Sequence, residues 1–276
     1  MKVTLHGTRG SVARSGEETV RYGGDTACVE VRSALGDLVI LDAGSGLLHA
    51  TRNIEPDTSR IDLFLTHLHM DHIQGLGFFP PLRSTYIETH LWGPVGRLDL
   101  AERLKRYLSP PLFPVRLRDF ENTKVRSLGP EQVKVGSLSI TADLVCHPGS
   151  TLGYRIEEDD RCLVYIPDHE PALGQDSFPA DPDWISGTAL MEGADLLIHD
   201  AQYTTAEYEQ RVGWGHSTLR QTAALAAAMG VKSLATFHHD PEHTDTMLDR
   251  LHADIVEGLE SDLEVIPGTA GSTFDV

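Results

Sequence analysis

The first third of the chain alternates short apolar segments with glycine-containing turns. Residues 2–7 alternate polar with apolar side chains, whereas residues 61–66 form a nearly continuous apolar run. A period of two predicts a strand with one buried face, and a short continuous run predicts a strand buried on both faces. Glycines near residues 7–10, 23–24 and 44–46 predict the intervening turns. The predicted strands of this region span residues 2–7, 27–31, 37–42 and 61–66.

Strand-like and helix-like segments alternate in the rest of the chain. Helices are predicted at residues 98–108, 218–229 and 246–259 from the spacing of their apolar residues. Ser217 is the expected N-cap of the second helix, and Gly230 is its expected stop. Further strands are predicted at residues 138–144, 153–156, 161–166, 196–199 and 233–237. No repeat or linker divides this pattern, so we expect one α/β domain over residues 1–276, with helices packed on sheets.

The charge of the chain is strongly unbalanced. Its 276 residues include 41 Asp and Glu against 23 Lys and Arg, which leaves a net charge of -18. Such a surface repels polyanions, so we expect no extended nucleic acid as a partner. A single small phosphate ester remains compatible with the charge, because metal ions can supply positive charge locally.

The cysteines and the hydropathy pattern bear on the compartment of the protein. Cys28, Cys146 and Cys162 are odd in number and lack CxxC spacing, so neither a disulfide framework nor a thiolate zinc site is expected. No apolar run approaches the roughly 18 residues that span a bilayer, and the N-terminal residues show no signal-peptide pattern. We expect a cytoplasmic protein without a membrane partner.

A dense group of histidines follows the predicted strand at residues 61–66. His67, His69, Asp71 and His72 form an HxHxDH string. Imidazole and carboxylate groups are ligands of zinc and related metals. His67 and His69 would point the same way from a strand end, while Asp71 and His72 turn around the loop. This spacing suits two ligands on each of two neighbouring metals. The ordinary alternative is a set of polar loop residues that cap the next helix.

Four more candidate residues stand at the ends of later elements. His147, Asp168 and His238 each follow a predicted strand, and His216 lies just before the helix at residues 218–229. A single histidine in such a place is more often a hydrogen-bonded structural residue than a ligand. Together with the HxHxDH string, however, the four indicate a metal site.

Through these residues, the chain resembles the metallo-β-lactamase fold hydrolases over nearly its whole length. The resemblance implies a single-domain αββα sandwich with a site for two divalent metal ions at one edge. It also implies the ligand roles. His67, His69 and His147 would hold one metal, Asp71, His72 and His238 would hold the other, and Asp168 would bridge them. Asp42, in the string LDAG, would support the metal loop from behind the ligands.

Several strings resemble the phosphodiesterase branch of this family, which includes tRNase Z-like and phosphonate-pathway enzymes. They are GTRGS at residues 7–11, YGGDT at 22–26, SPPLFP at 109–114, GHST at 215–218 and FHHDP at 237–241. In the GHST string, His216 is similar to a histidine that faces the substrate phosphate. Asp25 departs from the branch, which often has Asn there. The long arm with which tRNase Z enzymes grip tRNA is not evident, since residues 178–184 offer only a short Pro-containing stretch. The branch also suggests a homodimer.

These features together predict a metal-dependent hydrolase. The substrate expected first is a small or nucleotide-like phosphodiester, attacked by a hydroxide held between two metals, zinc or alternatively manganese. Asp71 would orient the nucleophile, and His216 would donate a proton to the leaving oxygen. An acyl hydrolase acting on a thioester, lactone or β-lactam is the alternative, and tRNA 3′-processing ranks below it. A metal-bearing module without turnover is the non-enzymatic alternative.

The sequence leaves the roles of several other residues open. His239 and His243 stand beside His238, so either could assist the site. Arg9, Arg14 and Arg21 could reach a phosphate, but solvated surface charge is the more ordinary interpretation. Phe113 and Phe120 suit a substrate cleft, a dimer face or the core, and the core is at least as favoured as the other two. Cys146 beside His147 suits a small buried residue better than a nucleophile.

Overall fold

The computed structural model describes residues 1–171, 173–174, 178, 182–259 and 261–276. The strands are β1 (Lys2–Gly7), β2 (Cys28–Arg32), β3 (Leu38–Leu41), β4 (Arg60–Phe64), β5 (Glu88–Pro94), β6 (Thr123–Leu128), β7 (Glu131–Val135), β8 (Leu138–Leu144), β9 (Leu152–Glu158), β10 (Arg161–Ile166), β11 (Leu196–Asp200), β12 (Ser233–Phe237), β13 (Glu264–Pro267) and β14 (Thr273–Asp275). The α-helices are α1 (Leu47–Ala50), α2 (Met70–Ile73), α3 (Leu100–Leu104), α4 (Thr188–Met191), α5 (Thr205–Tyr208), α6 (Leu219–Ala228) and α7 (Asp245–Glu257). Short 3-10 turns connect several of them.

The strands form two seven-stranded sheets, in the orders β14-β1-β2-β3-β4-β5-β6 and β13-β12-β11-β10-β9-β8-β7. Each sheet is antiparallel on one side and parallel on the other. The parallel pairs of the first sheet join β3 to β6, and those of the second join β10 to β13. Because the carboxyl ends of parallel strands meet at one edge, the loops that follow β3, β4, β10, β11 and β12 gather there.

The period-two pattern of the strands sorts their side chains between three cores. In β3, Val39 and Leu41 face the core between the sheets, while Leu38 and Ile40 face an outer core. The strand β10 does the same with the other outer core, which contains residues of α4 and α6. Helices therefore cover the outer face of each sheet. The predicted αββα sandwich is confirmed.

Most of the apolar strands were predicted, but the largely buried β5 was missed, and so were β6, β7, β13 and β14. The strands predicted at residues 2–7, 138–144, 161–166 and 233–237 have the bounds expected for them. In contrast, β6 and β7 carry many polar residues and were not predicted. Both stand at an edge of their sheets, where exposed side chains weaken the hydrophobic pattern.

The predicted helices form with different ends. The helix predicted at residues 98–108 narrows to α3, whose N-cap Asp99 accepts a hydrogen bond from the amide of Ala101, and a turn follows it. The N-cap of α6 is Thr218, because Thr218 and Gln221 form a reciprocal capping box. The prediction of Ser217 as N-cap is therefore wrong. Gly230 does end this helix, at a φ of 66°. In the parts of the chain that the structure describes, every helix is too short or too polar to cross a bilayer.

Arg9 is fully buried, so it is neither a phosphate ligand nor a surface charge as considered from the sequence. Its guanidinium donates to the carbonyl oxygens of Gly23, Asp240 and His243 at 2.8–3.1 Å. This side chain thereby ties the N-terminal loops to the loop after β12.

The other uncertain side chains take ordinary structural places. Arg14 and Arg21 form surface ion pairs with Glu242 and Asp249, as expected for solvated charge. Phe113 and Phe120 are buried in the outer core of the first sheet.

His252 makes stability depend on pH. Burial lowers the pKa of His252 to about 4, and its Nδ1 has no hydrogen-bonding partner among the described residues. Below pH 6.5, His252 therefore binds a proton in the unfolded chain but not in the folded chain. The free energy of unfolding falls for this reason as the pH drops toward 4. We expect the wild type to lose about 2 kcal/mol more than His252→Gln between pH 7.5 and pH 5. Urea unfolding at the two pH values measures this, and equal losses in both proteins would contradict it.

Candidate metal centre

The HxHxDH string connects β4 to α2 at the edge where the parallel strands end. His69 is the extended N-cap of α2, so the chain turns sharply between His69 and Asp71. The loop after β3 braces this turn, because the amide of Ala43 donates to the carbonyl of His72 at 2.8 Å. Gly44 permits the close approach, since a Cβ there would lie 2.3 Å from the carbonyl oxygen of Asp71. The turn therefore holds its side chains in one orientation.

The predicted ligands converge in two groups. We call them site A (His67, His69, His147) and site B (Asp71, His72, His238). In each site one donor atom per residue lies within 4.8 Å of the others, and Asp168 belongs to the site A cluster. The two oxygens of Asp168 also face different sites. Its Oδ2 lies 3.7 Å from Nε2 of both His67 and His147, and its Oδ1 lies 3.0 Å from His72 Nε2. Asp168 therefore lies between the two sites.

The donor atoms fit divalent cations. Nitrogens of His69 and His147 face each other at 3.2 Å, and Nε2 of His72 faces Nε2 of His238 at 3.3 Å. Two nitrogens bound to one tetrahedral zinc are about 3.4 Å apart, given Zn–N distances of about 2.0–2.1 Å.

Two buried atoms at the centre also need a partner. Within the described part of the chain, His67 Nε2 has no hydrogen-bonding partner. Asp168 Oδ1 has none either, because its 3.0 Å approach to His72 Nε2 does not have hydrogen-bond geometry. Buried polar atoms are rarely left in this state, so a cation accounts for them.

The ligand imidazoles are oriented by acceptors behind them. Nδ1–H of His72 donates to Asp42 at 2.8 Å, that of His147 to the carbonyl of Gly215 at 2.7 Å, and that of His238 to Gln202 Oε1 at 2.9 Å. Because the Nδ1 atom carries the hydrogen, the Nε2 lone pair of each ring is free to face the cluster. This is the arrangement in which imidazole binds a metal.

Asp42 orients a ligand of each site. The hydroxyl of Thr66 donates to the Asp42 carboxylate at 2.9–3.0 Å. The Thr66 oxygen is then free to accept a hydrogen bond from Nδ1 of His67 at 3.0 Å. The same carboxylate accepts from His72 and, at 2.9 Å, from the hydroxyl of Tyr165. Asp42 has a positive φ of 58°, an unusual backbone conformation for a residue other than glycine. The surrounding hydrogen bonds hold it there.

The centre combines ionised carboxylates with histidines whose pKa values are shifted in different directions. Burial lowers the pKa of His67 well below its usual value, and burial also lowers the pKa of His147. Burial acts in the same direction on His72, but the charges of Asp168 and Asp71 outweigh it and raise its pKa. Burial alone would raise the pKa of Asp168, yet the surrounding histidines hold it well below the usual range. The carboxylates therefore stay charged and available to a cation.

His216 stands beside the two sites and forms a third cluster of donor atoms with Asp168 and His238, all within 4.8 Å of one another. Its ring stacks on His238 with centroids 4.9 Å apart, and its Nδ1 donates to Asp200 Oδ2 at 2.8 Å. Burial lowers the pKa of His216, but the charge of Asp200 outweighs this and raises it to about 9. This side chain is therefore a proton donor at neutral pH. Asp200 was missed in the sequence, although it directly follows the strand predicted at residues 196–199.

Glu170 is a second residue that the sequence did not reveal. Its buried carboxylate accepts hydrogen bonds from the amides of Gly213 and Gly215 at 2.7–2.8 Å. It thereby fixes the turn that carries His216 and that offers the Gly215 carbonyl to His147. A Cβ on Gly215 would lie 2.3 Å from His147 Nδ1, so only glycine fits there. The available signal was an acidic residue two positions after Asp168.

The two histidines that follow His238 are used elsewhere. His239 lies with its Nε2 2.8 Å from the carbonyl of Gly268, and His243 faces Glu207 at 2.9 Å. Neither takes part in a cluster of donor atoms within the described residues.

Asp25 and Cys146 also have structural roles. Asp25 accepts from Ser45 Oγ at 2.7 Å and faces His49 at 2.8 Å, on the far side of the loop after β3. Burial raises the pKa of the Cys146 thiol, which disfavours the reactive thiolate.

An αββα sandwich with a histidine and aspartate cluster at one edge defines a metal-dependent hydrolase. The sequence profile of the Beta-lactamase superfamily domain matches residues 38–239, and the chain belongs to this superfamily. The crystal structure of the metallo-beta-lactamase fold protein YhfI from Bacillus subtilis shares the fold, with a TM-score of 0.71, 18% identity and coverage of 99% of both chains.

Two curated relatives are ribonucleases. Ribonuclease BN of Cronobacter sakazakii is 27% identical over 259 residues, covering 79% of this chain and 83% of the relative. Ribonuclease Z of Haloarcula marismortui is 25% identical over 287 residues, covering 86% of each. These similarities agree with the tRNase Z-like branch that the motifs predicted.

The same relatives overturn one expectation. Enzymes named ribonucleases act on RNA, so the prediction of no extended nucleic acid partner, made from the net charge of -18, is wrong. The physical reason is that net charge averages over the whole surface. Binding of a phosphate chain is decided by the local potential of the cleft that receives it.

Asp42→Asn tests the support of both sites. The amide cannot accept from Thr66, His72 and Tyr165 at once, so both ligand rings lose their fixed orientation. We expect metal affinity to fall by about 10- to 100-fold, measured by competition with a chelator followed by elemental analysis. Asp62→Asn is the matched control, since Asp62 is buried outside the site and bonds to Arg60 and Trp92. Equal metal affinity in the two variants would count against this role.

Proposed function

We propose that the protein is a phosphodiesterase that hydrolyses a nucleotide-type phosphodiester. The observation that carries this proposal is the placement of His216 beside two donor groups that share Asp168. Phosphodiester cleavage by water needs charge stabilisation on the attacking and leaving oxygens, together with a proton for the leaving group. One edge of this sandwich gathers the residues for both requirements.

Site A and site B are the groups that would hold two divalent metals, zinc or alternatively manganese. When bound there, such metals supply positive charge to the phosphate and make water a competent nucleophile near neutral pH. Nitrogen and oxygen donors suit both metals, so availability decides between them.

Asp71 is the residue we assign to orient the attacking water. Its Oδ2 accepts from the amide of Ser11 at 2.8 Å and lies 3.1 Å from His238 Nε2. Both contacts use the same oxygen, which fixes the carboxylate and leaves Oδ1 to accept from the water. Asp71 thus serves as a ligand and as a positioning group.

His216 is the residue we assign to protonate the leaving oxygen. Asp200 holds its Nδ1, so the proton available to the substrate is the one on Nε2. The transfer of that proton to the leaving alkoxide leaves a neutral imidazole, whose Nδ1 hydrogen stays bonded to Asp200. Histidine in this position provides general acid catalysis worth about 10²- to 10⁴-fold.

The ribonuclease relatives support the type of bond that we propose is cleaved, but they do not favour one particular substrate. Cleavage of RNA by water breaks a phosphodiester bond, which is the reaction proposed here. RNA therefore belongs in the substrate panel beside small diesters.

His67→Ala combined with His69→Ala removes two donors of site A. We expect loss of bound metal by elemental analysis and loss of hydrolysis of bis(p-nitrophenyl) phosphate, a cyclic nucleotide and an RNA with a 3′ extension. His49→Ala is the matched control, because His49 is exposed and contacts Asp25 rather than the site. Unchanged turnover in the double variant, or faster wild-type cleavage of a lactone or thioester, would refute the phosphodiesterase assignment.

His216→Ala separates the acid from the ligands. We expect turnover of a diester with an alkoxide leaving group to fall by about 10²-fold or more, with metal content near that of the wild type. A p-nitrophenolate leaving group needs no proton, so its turnover should fall much less. Steady-state kinetics on both esters measure the difference. Loss of metal in this variant would identify His216 as a ligand instead.

A further inference from the structure

A cleft opens beside site A, with a volume of about 610 Å³. His67 and His69 contribute to its lining, so the cleft leads to the metal centre. Apolar side chains of Met70, Ile73 and Leu112 form much of the remaining lining. Met70 and Leu112 are 53% and 71% exposed, so the cleft offers an apolar surface to a ligand.

Two arginines line the same cleft. Arg103 lies in α3 and Arg106 lies in the turn after it, three residues further on. The acidic residues of this segment are engaged elsewhere, because Asp99 caps the amide of Ala101 and Glu102 pairs with Lys105. Within the described residues, Arg106 forms no ion pair.

The guanidinium of Arg103 forms a hydrogen bond at one of its nitrogens only, among the described residues. Its guanidinium donates to the carbonyl of Pro94, while its Nε has no hydrogen-bonding partner among the described residues. Burial lowers the pKa of Arg103, in the direction expected for a cation without a compensating anion. Two like charges three residues apart on one face repel each other. A bound anion would relieve the repulsion between the two guanidinium groups.

We propose that Arg103 and Arg106 form an anion subsite that binds a second phosphate group of the substrate, next to the diester that is cleaved. This inference rests on the proposed function and names its substrate class. The substrate carries a planar or apolar group, which packs on Met70 and Leu112, and a second phosphate beyond it. A nucleotide with a terminal phosphate has this chemistry, and so does an RNA strand with its neighbouring internucleotide phosphate.

The overall charge makes the pair more informative. In a chain with 23 Lys and Arg against 41 Asp and Glu, two arginines at one cleft supply positive charge where it is scarce. Arginine also matches phosphate with two parallel hydrogen bonds, which lysine does not. The subsite therefore gives an acidic protein a local means of attracting a polyphosphorylated substrate.

Kinetics of Arg106→Ala on matched diesters test the subsite. The substrates are the dinucleotide UpU, the same dinucleotide with a 5′- or 3′-terminal phosphate, and the trinucleotide UpUpU. We expect kcat/KM of the variant to fall about tenfold further, mainly through KM, on substrates with a second phosphate than on UpU. A drop confined to terminal phosphates identifies a nucleotide source, and a drop confined to UpUpU identifies an RNA strand.

Arg250→Ala is the matched control, since Arg250 is an exposed arginine of α7 and its loss changes the net charge equally. An equal loss on all substrates, or the same selective loss in Arg250→Ala, would overturn the subsite.

Calorimetry separates failure of the subsite from failure of the proposed function. Uridine 3′,5′-bisphosphate and uridine 5′-monophosphate are titrated into the metal-loaded protein, with no hydrolysis involved. The bisphosphate should bind more tightly to the wild type, and Arg106→Ala should lose that advantage. An unchanged advantage in the variant refutes the subsite. Lack of turnover on every diester, with the advantage intact in the wild type alone, refutes the phosphodiesterase instead.

Discussion

The buried carboxylate of Asp42 is the interaction on which the centre depends. It reaches site A through the hydroxyl of Thr66 and site B directly through His72. Tyr165 donates to it from the second sheet, so this one group connects both halves of the sandwich. A buried charge is costly unless every oxygen is hydrogen-bonded. Here the cost is offset by a network that also orients metal ligands, which couples the stability of the sandwich to the geometry of the site.

The acidity of the protein acts differently at different distances. Far from the surface, a charge of -18 opposes the approach of any polyanion. Close to the cleft, divalent metals bound at site A and site B would reverse that sign, together with Arg106, which forms no ion pair within the described residues. Screening by salt shortens the reach of the surface charge to about 8 Å under physiological conditions, so the local groups decide binding. Ribonuclease relatives are compatible with an acidic chain for this reason.

His216, the proposed general acid, depends on residues distant from it in the sequence. Asp200 ends β11 and holds the His216 ring, while Glu170 follows β10 and holds the turn before it. These contacts make His216 a rigid part of the edge rather than a mobile loop residue. Asp168 comes from the same stretch as Glu170, so one segment after β10 positions both the group between the two sites and the acid.

The sequence by itself determined most of the apolar strands and the HxHxDH group, because local periodicity and local spacing carry them. The αββα class was implied by the resemblance to a known family and not by the periodicity. The sequence pattern gave no prediction, or a wrong one, where contacts with residues distant in the chain decide the local structure. Polar edge strands such as β6 form because a partner strand accepts their hydrogen bonds, and Arg9 is buried because three distant carbonyls receive it. Tertiary contacts also decide the roles of Asp200, Glu170 and the two arginines at the cleft. Ligand types are thus local properties of the chain, whereas their orientation, their supports and the substrate cleft are properties of tertiary contact.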